Sequence, residues 1–257
     1  RRKKPQRGRG ISPALCFLKK GEMPLPEKRG LPKLTPRLAA VAAQVRPGAR
    51  LLDVGTDHAY LPAYLVGQGI CPRAVASDVR EGPCARARAT VKACNLERDI
   101  AVVKTDGLHG FTLEDVDDVV LAGMGGELML TILEAAPQIR QQRLHLILQP
   151  QTDFALVRRR MASWGFALNR ELLAAEGHRI YHIFSFTYDG VLRAPDEAAI
   201  AFGRPEANRD LLTAYYRKLR SSMLRELEGI SRSAAPDEAR METLRKMLHL
   251  LSKEEES

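Results

Sequence analysis

The chain has 257 residues, 45% hydrophobic and 28% charged, enough to bury a full core in one large domain or in a domain with an appendage. No apolar stretch approaches the roughly 20 residues of a membrane-spanning helix, which excludes a helical membrane protein. The net charge of +9 is unevenly spread: residues 1–30 carry ten Lys or Arg and two Glu, a net of +8, which leaves 30 basic against 29 acidic residues, +1, for the rest.

The first segment, Arg1-Arg2-Lys3-Lys4-Pro5-Gln6-Arg7-Gly8-Arg9-Gly10, has no periodicity that could bury a face, so residues 1–30 are expected to be a disordered basic tail. It is either an RNA-clinging arm or a stretch upstream of the real start. The second is favoured, because position 1 is not Met and Met23 precedes the first foldable segment. The run Ala14–Leu18 is too short for an export signal, and Cys16, Cys71, Cys84 and Cys94 form no CxxC pair. Reduced cytosolic thiols, with no disulfide and no metal site, are the expectation.

Thr35 is placed to cap a first helix, with Pro36 in its first turn, Leu38, Val41, Ala42 and Val45 on one face, and Pro47-Gly48 ending it. Beyond it, short apolar runs predict strands near 50–55, 73–78, 100–104, 118–122 and 144–149. Helical patterns alternate with them near 59–68, 82–95, 127–136 and 153–164. Strand then helix, repeated, predicts an α/β fold with a parallel sheet covered on both sides. Ala167–Ala174 and Arg179–Thr187, around the turn Glu176-Gly177-His178, predict a closing hairpin. Five alternating units closed by a hairpin match a Rossmann-like class I methyltransferase sheet better than a dehydrogenase's six parallel strands.

From Asn208 onward Leu212, Tyr215, Leu219, Met223, Leu227 and Ile230 recur at helical spacing, and Met241, Leu244, Leu248 and Leu251 repeat the pattern beyond Pro236. This predicts a C-terminal two-helix hairpin with coiled-coil-like seams. The hairpin either dimerises, leans on the main domain, or grips a large substrate. Arg209, Arg217, Lys218, Arg220 and Arg225 permit phosphate contact, although Asp210, Glu226 and Glu228 dilute their charge.

The ends of the strands hold the candidate chemistry, because ligands of such sheets sit beyond the strands' carboxyl ends. Asp53-Val54-Gly55-Thr56-Asp57-His58-Ala59-Tyr60-Leu61-Pro62 reads as a strand passing through a tight Gly turn into a helix, with free backbone N–H groups for a nucleotide-like cofactor. The carboxylate just before the Gly suits hydroxyl or ammonium donors better than a bare phosphate, which points to S-adenosylmethionine. Asp78, 25 residues after Asp53, can accept both ribose hydroxyls, and Asp106-Gly107 can receive the adenine amino group. Taken singly, each of these acids also reads as a helix cap or turn residue. The fourth strand ends in Ala122-Gly123-Met124-Gly125-Gly126, where glycines admit another molecule close to the backbone, and the fifth in Gln149-Pro150, whose amide can meet a base edge. Gly123, Met124, Gln149 and Pro150 are therefore the candidate base-positioning residues, and Asp53, Gly55, Asp57, His58, Asp78, Asp106, Gly107 and Ala122 the candidate cofactor residues.

Asp53 to Pro62, the Asp106-Gly107-Leu108 turn, Ala122 to Gly126, Leu146-Ile147-Leu148-Gln149-Pro150 and the terminal hairpin together resemble the TrmK-type tRNA (adenine-N1)-methyltransferases over about Leu34 to Leu251. General class I methyltransferases carry glycines where this chain has Asp57 and Ala59, and that departure marks the resemblance. It implies S-adenosylmethionine, a bacterial cytoplasm, and methylation of adenosine 22 in the D-arm region of tRNA. The corresponding division is the tail at 1–30, an S-adenosylmethionine-binding domain at 31–190 and the helical hairpin at 191–257, as a monomer or weak dimer.

Adenine N1 has a lone pair and is neutral at pH 7, so methyl transfer to it needs positioning more than a strong base. This agrees with the absence of a recognisable Ser/His/Asp or Cys/His nucleophile pattern. His58 is placed in the first helical turn after the glycine, His178 and His182 are assigned surface or packing roles, and Arg158-Arg159-Arg160 reads as a solvated helix face or a tRNA contact. The competing readings are a methyltransferase on another RNA or a small acceptor, and a non-catalytic RNA-binding protein that keeps the fold. A nicotinamide dehydrogenase is disfavoured because Gly55 to Tyr60 lacks the Gly-x-Gly-x-x-Gly pattern.

Overall fold

A computed structural model of the protein describes residues 30–233 and 235–255; the basic tail, with Cys16 and Met23, lies outside them. Seven strands form one sheet: β1 Leu51–Val54, β2 Ala74–Asp78, β3 Ile100–Lys104, β4 Asp118–Met124, β5 His145–Pro150, β6 Phe166–Glu176 and β7 Arg179–Tyr188. Their order is β3-β2-β1-β4-β5-β7-β6. β1 to β5 run parallel, and β7 is antiparallel to both β5 and β6. The five predicted strands and the closing hairpin are all present, in the order of a class I methyltransferase sheet. Chain reversal in the sheet occurs between β1 and β4, the place where a doubly wound sheet opens a crevice.

The helices are α1 Pro36–Ala42, α2 Tyr60–Gly67, α3 Glu81–Ala93, α4 Gly126–Glu134, α5 Phe154–Ser163, α6 Glu197–Phe202, α7 Arg209–Ser231 and α8 Glu238–Glu255. Thr35 caps α1 as expected, its hydroxyl accepting from the Leu38 N–H at 3.4 Å. The neighbours Leu51 and Leu52 show why the strands read as continuous apolar runs. Leu51 packs with Val41, Leu65 and Ile147 on one face of the sheet, and Leu52 with Leu121, Met129 and Phe184 on the other. Among the described residues, no helix is long and apolar enough to cross a membrane.

Four elements differ from expectation, the first being α1, which stops at Ala42 and leaves Val45 in the turn beyond it. β4 runs two residues further, to Met124, because the pairing with β5 slips between Ala122 and Met124 and Gly123, at φ +83°, takes up the bulge. α2 begins at Tyr60, so His58 lies in the turn and not in the helix. α6 is an added helix, capped by Asp196, whose carboxylate accepts from the Ala199 N–H at 2.7 Å.

The C-terminal helices form the predicted hairpin. Asn208 caps α7, and every expected seam residue of α7 is at least partly buried. The root of the hairpin is built into the main domain. Glu206 bridges Leu172 on β6, donating to the Glu171 carbonyl at 2.7 Å and accepting from the Leu173 N–H at 3.2 Å.

Candidate active site

The turn after β1 is narrower in its free donors than its sequence implies. The N–H groups of Gly55 and Thr56 both donate to the Ser77 carbonyl, at 2.8 and 2.9 Å, and the Ala59 N–H donates to the Thr56 hydroxyl at 3.1 Å. Among the described residues, the amides of Asp57, His58, Tyr60 and Leu61 have no acceptor, so four donors are left unspent at the start of α2. Gly55 adopts φ +78°, open to glycine without strain, while buried Ala59 is held left-handed at φ +53°. At Ala59 an alanine thus occupies a conformation that glycine takes more cheaply.

Asp53 is buried beside this turn, and burial pushes its carboxyl up to about 6, against the lowering effect of the Thr56 hydroxyl. Asp57 behaves oppositely. It is largely exposed, and the Arg86 guanidinium on α3 pairs with it and holds its carboxyl below the ordinary range. His58 Nε2 stands 3.4 Å from the other Asp57 oxygen, and its ring stacks on Tyr60 at 5.0 Å.

Asp78 closes β2 with its carboxylate 8% exposed. One oxygen accepts the Arg80 N–H at 2.8 Å, and the other faces solvent. The Asp78 carbonyl accepts the Thr105 N–H at 3.1 Å, which ties the end of β3 beside it and brings Asp106, two residues past the strand, to the same edge. Asp106 is exposed, whereas Gly107 at φ +53° packs under Ile132 of α4.

At the ends of β4 and β5 the glycines divide their work. Gly123 leaves open backbone at the bulge, but Gly126 is a packing residue: a Cβ there would lie 2.7 Å from the Thr152 carbonyl. Met124 places its methyl group against Gly55, so the β4 loop and the β1 turn form one wall. Gln149 is fully buried, its Oε1 accepting from Arg37 Nη1 at 2.7 Å and its Nε2 donating to the Pro150 carbonyl at 2.8 Å. Gln151, the exposed neighbour, donates to the Gly123 carbonyl at 3.0 Å.

Asp53, Gly55, Asp57, His58, Asp78, Asp106, Gly107, Ala122, Gly123, Met124, Gln149 and Pro150 all fall on the carboxyl edge of the sheet. Sequence reasoning missed Arg37, Thr56 and Arg86 there. Thr56 lay inside a quoted motif, but the two arginines come from helices with no distinguishing pattern around them.

Two other polar clusters lie outside this set. Arg158 is not part of a solvated face: it is buried, donates from Nε to Glu171 Oε2 at 3.2 Å, and bonds the carbonyls of Ile200 and Phe202. His182 Nδ1 donates to Glu171 Oε1 at 2.6 Å, and Tyr215 of α7 donates to the Phe202 carbonyl at 2.6 Å. Arg159 and Arg160 alone remain exposed. The arginine and histidine hold Glu171 ionised against its burial, and the cluster rivets the hairpin to β6 and α5. At the opposite end of the sheet, Ser185, His145 and Asp118 do form a hydrogen-bonded chain: His145 Nδ1 lies 3.3 Å from Asp118, and Nε2 2.5 Å from the Ser185 hydroxyl. All three are buried, and Asp118 is further held by the Arg46 backbone and guanidinium, so the chain joins β4, β5 and β7 structurally.

Residues 34–184 match the family described as Methyltransferase domain. The chain is 33% identical over 166 residues to the tRNA (adenine(22)-N(1))-methyltransferase of Bacillus subtilis (strain 168), covering 62% of this chain and 70% of that protein. The crystal structure of the B. subtilis M1A22 tRNA methyltransferase TrmK superposes with a TM-score of 0.74 at 28% identity, over 86% of this chain and 98% of that one. Streptococcus pneumoniae Sp1610, in complex with S-adenosyl-L-methionine, gives a TM-score of 0.73 at 29% identity, over 86% and 99% of the two chains.

Proposed function

The chain belongs to the TrmK-type tRNA (adenine-N1)-methyltransferase family of the class I methyltransferases, and from that membership we propose that it methylates N1 of an adenosine in tRNA, at position 22, with S-adenosylmethionine as methyl donor. The observation that carries the reading is the convergence, on one sheet edge, of Asp53, Asp78 and Asp106 with the bare backbone of Gly123. A protein that only bound RNA would have no need of that acid set.

The donor set fits the cofactor. Asp78 has one oxygen anchored by the Arg80 N–H and one presented, and the carboxylate keeps enough lone pairs to accept both hydroxyls of a ribose. Asp53 offers an acceptor for an ammonium group, and the four unspent amides from Asp57 to Leu61 offer donors for a carboxylate. Asp106 is left for the exocyclic amine of an adenine. When bound, S-adenosylmethionine supplies an electrophilic methyl group on a sulfonium sulfur.

The work left to this chain's own residues is positional. N1 attacks with its own lone pair, so no side chain needs to remove a proton first. Met124 walls the space next to Gly55, Gly123 lets the acceptor base approach the backbone, and Gln149 with Pro150 forms the rigid floor beneath that loop. N1 is engaged when adenine is Watson–Crick paired, so the target base must enter unpaired. The partner is tRNA, and the reaction belongs to the cytoplasm.

The test is purified protein with labelled S-adenosylmethionine and unmodified bacterial tRNA, followed by nucleoside mapping. Label in 1-methyladenosine at position 22 is the expected product. Cofactor binding with no label in tRNA refutes the reading.

A further inference from the structure

We propose that Arg37 is a binding residue for the phosphodiester of the target nucleotide, an inference that rests on the tRNA-methyltransferase reading. Arg37 stands in the first turn of α1, yet its side chain belongs to the acceptor loop. Nη1 donates to Gln149 Oε1 at 2.7 Å, and the guanidinium lies over the Tyr181 ring at 5.6 Å from its centroid. Nη1 would also stand 3.5 Å from a Cβ built on Gly123, so the absence of a side chain there leaves the cation facing the bare bulge. The backbone N–H of Arg37 meets Glu176 Oε2 at 3.4 Å, which fixes α1 against the β6–β7 turn.

A guanidinium has five donors, and among the described residues the protein uses one of them here. Gln44 Nε2 is the one buried side-chain polar atom among those residues that lacks a partner, so the unspent Arg37 donors face solvent at the site. No carboxylate pairs with the guanidinium among the described residues. A planar cation, stacked on one side and pinned at one corner, is pre-organised for bidentate contact with an oxyanion.

Two reactants carry such an oxyanion, and the geometry favours the RNA. The cofactor's carboxylate already has the unspent amides at the start of α2. The acceptor base also becomes cationic on methylation, so a guanidinium above the ring would oppose the reaction, while one on the flanking phosphate holds the nucleotide without opposing it. Gln149, with both ends of its amide engaged, is then the positioning residue that holds Arg37 and does not itself read the base.

The experiment compares wild type, Arg37→Gln and Arg37→Lys in tRNA methylation from low to moderate salt, with S-adenosylhomocysteine affinity measured alongside. For Arg37→Gln the expected result is kcat/KM for tRNA lower by roughly 10- to 100-fold, mainly through KM, with S-adenosylhomocysteine affinity retained. The slope of log kcat/KM against log salt should become shallower by about 0.7 to 0.9, the signature of one lost phosphate contact, and Arg37→Lys should restore that slope. A rate loss with the slope unaltered overturns the proposal, as does a loss of S-adenosylhomocysteine affinity with tRNA parameters unchanged, which assigns the guanidinium to the cofactor carboxylate. A fully active Arg37→Gln also overturns it and leaves the enzyme's function standing. Wild-type protein that binds S-adenosylhomocysteine and never labels tRNA refutes the function, and the proposal with it.

Discussion

The methyl group of Met124 rests on Gly55, so closely that a Cβ at position 55 would come within 2.5 Å of Met124 Cε. Met124 ends β4 and Gly55 lies in the turn after β1, so this contact couples the acceptor side of the site to the cofactor side. Gly55→Ala should therefore act twice. The flexible thioether can swing away, but φ +78° remains strained for alanine by about 1–2 kcal/mol. The expected outcome is a melting temperature lower by a few degrees and S-adenosylhomocysteine affinity lower by at least about tenfold in calorimetry. Adding Met124→Ala should relieve the overlap and leave the stability loss in place.

Asp53 sets a pH dependence whose sign is defined. Its folded pKa of about 6 lies above the ordinary 3.8, so the folded state binds more protons between those values. Stability should fall as pH rises from about 4 to 6, by about 3 kcal/mol, and level off above. Asp53→Asn should remove that part of the slope in urea denaturation at a series of pH values. Cofactor affinity should change in the reverse direction, rising through pH 6 as the carboxylate that meets the ammonium group ionises.

Asp78→Ala should weaken S-adenosylhomocysteine binding by roughly a hundredfold or more, because two ribose hydroxyls lose a charged acceptor. The fold should survive, since the side chain's hydrogen bond to the Arg80 N–H and its ion pair with the Arg80 guanidinium at 3.6 Å both lie at the rim of the sheet. Calorimetry giving an unchanged Kd would remove Asp78 from the cofactor site.

Arg158→Met should cost about 3–5 kcal/mol, because it leaves Glu171 charged, buried and facing His182 alone. The double variant Arg158→Met with Glu171→Met should be less destabilised than either single change. Additive losses in chemical denaturation would show that the two side chains do not act as a unit.

The hairpin's part in RNA binding is better tested by charge than by truncation. Removing residues 196–257 would strip Phe202 and Tyr215 from the buried cluster, so lost activity would report lost packing. Arg217 and Arg225 are exposed on α7, and reversing both to Glu should weaken tRNA binding by roughly tenfold or more at low salt while S-adenosylhomocysteine affinity stays constant. Unaffected tRNA binding would leave the hairpin a structural role only.

What the sequence by itself determined was everything carried by local pattern. Alternating apolar runs located all seven strands. The Thr35 cap marked the first helix start, and the four- and three-residue recurrence of Leu and Met drew the terminal hairpin. The acids at the strand ends were legible because strand order in a doubly wound sheet puts consecutive carboxyl ends on one edge.

Only the tertiary structure decided which polar groups remain free there. Arg37 meets Gln149 across 112 positions of sequence, Asp57 is claimed by Arg86, and Arg158 leaves a run of three arginines to become the buried partner of Glu171. Each outcome depends on where a helix lands against the sheet and whether a carboxylate stands within reach. That distance is set by packing of the whole core, and it leaves no periodic trace along the chain.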